Sequence, residues 1–201
     1  MNRQTRSAAV LGIFVLVALT LLGLVNKATK DRISQAHQQW MLDNLSEVLP
    51  PEPFDSNPIL SLRQHIEPEL GGSEQVAIYT AFKNQHPAAA VLELVAPNGY
   101  SGEIRLLLGI HPNGEIITAR VIEHRETPGL GDDIEFRKSV WITQFDGRSL
   151  NASVPENWQV AVHGGQFDAL TGATVTSRAV IQAIYRALQW FEGNRKEIFR
   201  Q

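Results

Sequence analysis

Ala8 to Val25 reads AAVLGIFVLVALTLLGLV, 18 residues without a charge. As a helix this run extends about 27 Å, close to the roughly 30 Å hydrocarbon thickness of a bilayer. It therefore predicts an N-terminal transmembrane anchor over residues 1–26. A cleaved signal peptide is the competing reading. Its apolar region is normally shorter and ends in a small-x-small site, for which VNKATK is a poor candidate. Arg3 and Arg6 precede the run, while Lys27, Lys30 and Arg32 follow it with only Asp31 against them. Basic residues on both sides leave sidedness open.

Residues 27–72 read as a membrane-proximal helix followed by a Pro-rich, irregular segment. Ala28, Ile33, Ala36, Trp40, Leu45 and Val48 make a narrow apolar stripe, and Pro50, Pro51 and Pro53 stop it. The remainder, 73–201, reads as one α+β domain. Strand candidates are Gln75–Phe82, Ala88–Pro97, Glu103–Ile110 and Glu115–Glu126, with a tight hairpin turn expected at Asn113-Gly114. Trp141, Ile142 and Phe145 suggest a short helix begun near Ile134, and Trp158–Val162 a last strand. A final helix is expected from Thr176 or Ser177 to about Phe191, with Gly193 as its stop. The fold class is thus a transmembrane helix followed by a mostly antiparallel sheet flanked by helices.

Composition narrows the chemistry. The chain has no cysteine, which removes disulfides, thiolate metal sites, cysteine nucleophiles and thiolate-held iron–sulfur clusters. A net charge of −3 without a basic stripe argues against nucleic acid as a partner. His37, His65, His86, His111, His124 and His163 lack metal-ligand spacing, so no metal site is expected. PGLGD has no third glycine for a dinucleotide fingerprint, and GYSG is not a nucleophile elbow.

Two segments remain. ETPGLGDDIE, Glu126 to Glu135, reads either as a strand-to-helix connection N-capped by Asp132 or Asp133, or as a loop whose glycines admit a flat ligand beside Leu130. Gly131 adds a second place where backbone approaches another group closely. DALTGATVTS, Asp168 to Ser177, crowds Thr171, Thr174, Thr176 and Ser177 ahead of an amphipathic run. One hydroxyl suffices to cap a helix. The start of a helix also offers unpaired N–H groups to an anion, and Gly172 and Ala173 leave the Thr174 hydroxyl accessible. The physical reading leaves both open: a binding segment, or a plain helix cap in a non-redox binding or structural domain.

Asp168-x-x-Thr171-Gly172-Ala173-Thr174-x-Thr176 resembles the flavinylation motif D-x-x-[ST]-G-A-T-x-[ST] of the FMN-binding domain family. In that family an ApbE-type flavin transferase moves FMN from FAD onto the last threonine of the [ST]-G-A-T core, as a phosphodiester. The resemblance implies Thr174 as the covalent site, with Asp168, Thr171, Gly172, Ala173 and Thr176 serving transferase recognition or seating the cofactor. With the anchor, NGYSG, HRETPGLGD and the WI-x-x-F segment, nearly the whole chain is similar to the G subunits of Rnf-type ion-translocating electron transport complexes. The C subunit of the sodium-translocating NADH:quinone reductase shares the domain. The resemblance further implies that Glu126, Thr127, Gly129, Leu130 and Tyr100 (or Ser101) line the isoalloxazine. It implies a single-pass inner-membrane protein with a periplasmic flavin domain, partnered by the other members of the complex and relaying electrons between ferredoxin and NAD chemistry. No catalytic residue and no substrate turnover by the protein in isolation are expected.

Overall fold

The computed structural model describes residues 3–49, 54, 62–65, 67–71, 76–150 and 157–200. The chain divides into two compact units, Met1–Asp43 and Asn44–Gln201.

The first unit is helical. Helix α1, Arg3–Val48, runs through the apolar stretch and onward without a break, so the helix expected after the anchor is its continuation. Leu11, Phe14, Leu16 and Leu22 are all about two-thirds exposed. The hydroxyl of Thr20 donates to the Leu16 carbonyl at 2.7 Å, satisfying the run's one polar side chain within the helix. Among the described residues no helix is long and apolar enough to cross a membrane. The described side chains of the run extend from Leu11 to Leu24, about 21 Å of helix.

The second unit carries a five-stranded sheet in the order β1-β2-β3-β4-β5, every neighbouring pair antiparallel. The strands are β1 (Arg63–His65), β2 (Val76–Lys83), β3 (His86–Ala96), β4 (Ile104–Ile110) and β5 (Ile116–Glu123). Four match expected strands. β1 lies in the stretch read as irregular, where pairing to Val76–Ile78 at the sheet edge imposes the extended form. The rest of the Pro-rich reading lies largely outside the described residues, apart from a 3-10 turn at Pro68–Leu70.

The turns follow from backbone freedom. Gly114 takes φ +91 in the β4–β5 connection, as Asn113-Gly114 predicts, and its N–H reaches the His111 carbonyl at 2.9 Å. The β2–β3 hairpin puts Asn84 and Gln85 at φ 51 and 64 without a glycine. Asn tolerates this region better than most residues.

Strand alternation sends Ile78, Leu92, Leu94, Leu106 and Leu108 to one face, where they join the main core. Helix α2, Thr174–Ile198, packs on that face over β3. Val180, Ile184, Leu188 and Phe191 of α2 are completely or almost completely buried. Ala77, Tyr79, Val91 and Leu107 point the other way and are buried too. There, a Cβ on Gly109 would run into the Val48 carbonyl, so the last residues of α1, which belong to this second unit, lie against that surface. Burial, with the nearby Glu93 charge adding to it, pushes the Tyr79 phenol up to about 12.

Three expectations need correction. α2 starts at Thr174 and ends at Ile198. Gly193 is interior to it, and Arg195 and Lys196 in the last turn suit the negative end of the helix dipole better than an early stop. The Trp158–Val162 strand reduces to one bridge, Val160 with Phe167, because a 3-10 turn at Ala161–His163 bends the chain away. The short helix near Ile134 is two 3-10 turns, Gly131–Ile134 and Val140–Phe145.

Candidate functional site

The DALTGATVTS segment is pinned before it becomes a helix. Phe167 is fully buried, with its ring 4.9 Å from Phe145 and 5.0 Å from Trp158. The next residue, Asp168, is held by its backbone: its carbonyl accepts Trp141 Nε1–H at 2.7 Å and its N–H donates to Gln144 Oε1 at 2.8 Å. A turn follows, closed by Ala173 N–H to the Leu170 carbonyl at 3.0 Å, with Gly172 at φ +76. The Ser177 hydroxyl staples the turn to the helix, accepting Leu170 N–H at 2.9 Å and donating to the Ala173 carbonyl at 3.1 Å.

The helix start is therefore not the plain cap that the clustered hydroxyls allow. Its N-cap residue is Ala173, and no side chain caps it. Thr176 is buried and turns its hydroxyl to Glu126, donating to Oε2 at 2.6 Å. The first-turn N–H groups carry the helix's positive end and lack intrahelical acceptors. Thr174, the first residue of that turn, is half-buried.

The facing wall is the ETPGLGD loop. The Thr127 carbonyl accepts N–H groups from Leu130 and Gly131 at 3.2 and 3.1 Å, and Gly129 takes φ +76 to allow it. Asp132 and Asp133 sit inside the 3-10 turn, not at its N-cap, which is Leu130. Asp132 Oδ1 still accepts Leu130 N–H at 3.2 Å. Lys138 Nζ bridges Asp132 Oδ2 at 2.8 Å and Glu135 Oε1 at 2.5 Å. His124 completes the brace, with Nδ1 accepting Glu126 N–H at 3.0 Å and Nε2 lying 2.8 Å from Glu135 Oε1. Acceptance at Nδ1 places the neutral ring's proton on Nε2.

This brace titrates. The Lys138 hydrogen bond holds both Asp132 and Glu135 below the usual carboxylate range, and the two carboxylates hold Lys138 above its usual value. Depressed carboxylates contribute stability that is present above their unfolded pKa values and lost as pH falls through the folded ones. The raised lysine contributes below its unfolded pKa and loses that contribution as pH rises through the folded one. Thermal melts of Lys138→Met against the parent should therefore differ most near neutral pH. The gap should close below about pH 4, and a gap independent of pH would contradict the brace.

Between the walls lies a cleft of about 480 Å³, within the usual range for small-molecule sites. It is lined by Tyr100, Glu126, Thr127, Leu130, Gly131, Gly172, Ala173, Thr174, Val175 and Thr176. Eight of the residues expected from sequence thus come together. Asp168, Thr171 and Gly129 do not line it: the first two are exposed beside the turn, and Gly129 shapes the loop. Val175 was missed as a wall residue, although its place between Thr174 and Thr176 puts it in the same turn. Gly131 carried a signal in its suspected close approach: a Cβ there would stand 2.8 Å from Glu126 Oε2 and 3.1 Å from Thr176 Oγ1. Tyr100, Leu130 and Val175 are exposed large side chains, so the walls offer apolar surface on either side of a helix N-terminus. Such a cleft can cover a flat apolar ring and seat an anionic group at the start of α2.

That combination defines a class: a small α+β domain whose cleft, opening at a helix start, can take a ring-bearing anion. Residues 99–189 match the model of the FMN-binding domain family, and residues 1–48 match that of the RnfG N-terminal region. The G subunit of the Pseudomonas aeruginosa ion-translocating oxidoreductase complex is 41% identical over 194 residues, covering 96% of this chain and 91% of that one. Its Shewanella oneidensis counterpart is 38% identical over 202 residues, covering 100% of this chain and 95% of that one. The Vibrio cholerae counterpart is 36% identical, with 98% and 94% covered. A crystal structure of Shewanella oneidensis NqrC aligns with TM-score 0.49 at 18% identity, over 72% of this chain and 74% of that one. The chain belongs to the family formed by the G subunits of ion-translocating oxidoreductase complexes.

Proposed function

We propose that this protein is a membrane-anchored flavoprotein that carries FMN covalently on Thr174 and relays electrons within an ion-translocating complex. The observation that carries the reading is the start of α2: a helix N-terminus with no side-chain cap, opening into a cleft with a half-buried threonine in its first turn. A phosphodiester on Thr174 Oγ keeps one negative charge, and the first-turn N–H groups are donors suited to it. The residues fit the rest of the group as well. Tyr100, Leu130 and Val175 can cover a flat ring, while Gly172 lacks a Cβ that would stand 3.1 Å from Leu130 Cδ2.

When bound, FMN supplies the redox chemistry, and the protein supplies position, cover and electrostatics. Thr174 acts as an anchor. Its attachment is a group transfer: the bond from Thr174 Oγ to the FMN phosphorus forms, the pyrophosphate bond of FAD breaks, AMP leaves, and the hydroxyl proton is lost. An ApbE-type flavin transferase is the partner for that step. The plain-cap alternative draws no support from the geometry, since no side chain caps α2: the Thr176 hydroxyl donates to Glu126, and the Ser177 hydroxyl joins Leu170 N–H to the Ala173 carbonyl.

The anchor and its orientation complete the reading. The uncharged run Ala8–Val25 is by its sequence long enough to cross a bilayer. We assign it as a single inner-membrane span with Arg3 and Arg6 on the cytoplasmic side and the flavin domain in the periplasm, bound to the other members of an Rnf-type complex. The test is co-expression with a flavin transferase followed by a denaturing gel. A fluorescent band at the chain's mass supports the proposal. A dark band, with the transferase active on another acceptor, removes it.

A further inference from the structure

Glu126 is the buried charge that the proposed attachment chemistry does not use. It is 5% exposed, yet its side chain forms part of the cleft wall. Oε1 accepts Ser101 N–H at 3.0 Å and Oε2 accepts the Thr176 hydroxyl at 2.6 Å. Among the described residues no lysine or arginine pairs with it. Two glycines make room for it: a Cβ on Gly99 would stand 2.8 Å from Oε1, and one on Gly131 would stand 2.8 Å from Oε2. Neutral donors hold the carboxylate in place without cancelling its charge. Charge in such a low-dielectric wall acts more strongly on its neighbours than charge in water.

We propose that Glu126 is an electrostatic tuning element of the cleft, a fixed negative charge that disfavours electron uptake by the occupant and so lowers its reduction potential. The inference rests on the flavin reading of the cleft. The carboxylate is distinct from the attachment point. Thr174 and the α2 start present positive potential to the phosphate end, whereas Glu126 presents negative potential to whatever lies along the wall. Added electrons bring negative charge beside it, so the oxidised state is favoured.

The experiment compares reduction potentials of the covalently loaded full chain in detergent by spectroelectrochemistry. Glu126→Gln keeps the shape and an acceptor but removes the charge. Its potential should rise by at least a tenfold change in the reduction equilibrium, about 30 mV for a two-electron couple. Glu126→Asp retains the charge and should remain near the parent. Should glutamine not fold, Glu126→Leu combined with Thr176→Val removes the buried carboxylate and its hydroxyl donor together, leaving the Ser101 N–H as the one donor that loses its acceptor. It should show the same upward shift. Covalent flavin on the parent and the charge-free variant with equal potentials overturns the inference alone. An unloaded parent removes the flavin reading and this inference with it. A shift of Asp and Gln together in one direction also overturns it, because it reports structural disturbance and not charge.

Discussion

Thr174→Ala, co-expressed with a flavin transferase, should give a folded chain with no covalent flavin: a dark band on a denaturing gel and the unmodified intact mass. The loss should be complete, since alanine offers no oxygen for a phosphodiester. The fold should survive because Thr174 is half-buried and opens the helix, where its hydroxyl is not the cap. Alanine also has the higher helix propensity, so stability should change by no more than about 0.5 kcal/mol. Thr171→Ala is the informative comparison. Thr171 is exposed and outside the cleft wall, so any loss of labelling there reports transferase recognition. Covalent flavin retained in Thr174→Ala would move the acceptor to another residue of the segment.

Phe167→Ala should produce the largest loss of stability, about 3–5 kcal/mol, which is the usual cost of deleting a fully buried aromatic ring. Its ring meets Phe145 and Trp158, and its backbone ties the segment to the neighbouring turn through Ala161 N–H at 2.7 Å and the Gln159 carbonyl at 3.2 Å. The cavity would open between Phe145 and Trp158, at the residue from which Asp168–Leu170 leads into α2. For a unit of this size the melting temperature should fall by roughly 6–20 °C. A melt within a degree or two of the parent would show that this cluster does not support the site.

The sheet was legible because each strand repeats a local pattern. β2 to β5 follow apolar runs bounded by turn residues, and Asn113-Gly114 marks one hairpin directly. β1 was not legible: three polar residues in a Pro-rich stretch become a strand only because the edge of β2 offers unpaired groups. The start of α2 was expected two or three residues too late for a related reason. Thr176 and Ser177 resemble caps locally, but their hydroxyls are claimed by Glu126 and by the Leu170–Ala173 turn, partners no local pattern reveals. Glu126 itself lies 50 positions from Thr176 in sequence. Spacing alone could not join them; the family resemblance suggested both, and the fold puts them within a hydrogen bond.

The central claim is the bond at Thr174, and peptide mass spectrometry tests it most directly. Trypsin releases Ser149–Arg178, which contains Thr171, Thr174, Thr176 and Ser177. After co-expression with a flavin transferase, that peptide should gain the mass of one FMN less one water, and fragmentation should place the addition on Thr174. An unmodified peptide from cells whose transferase labels another acceptor, or an addition placed on a different residue, would contradict the account.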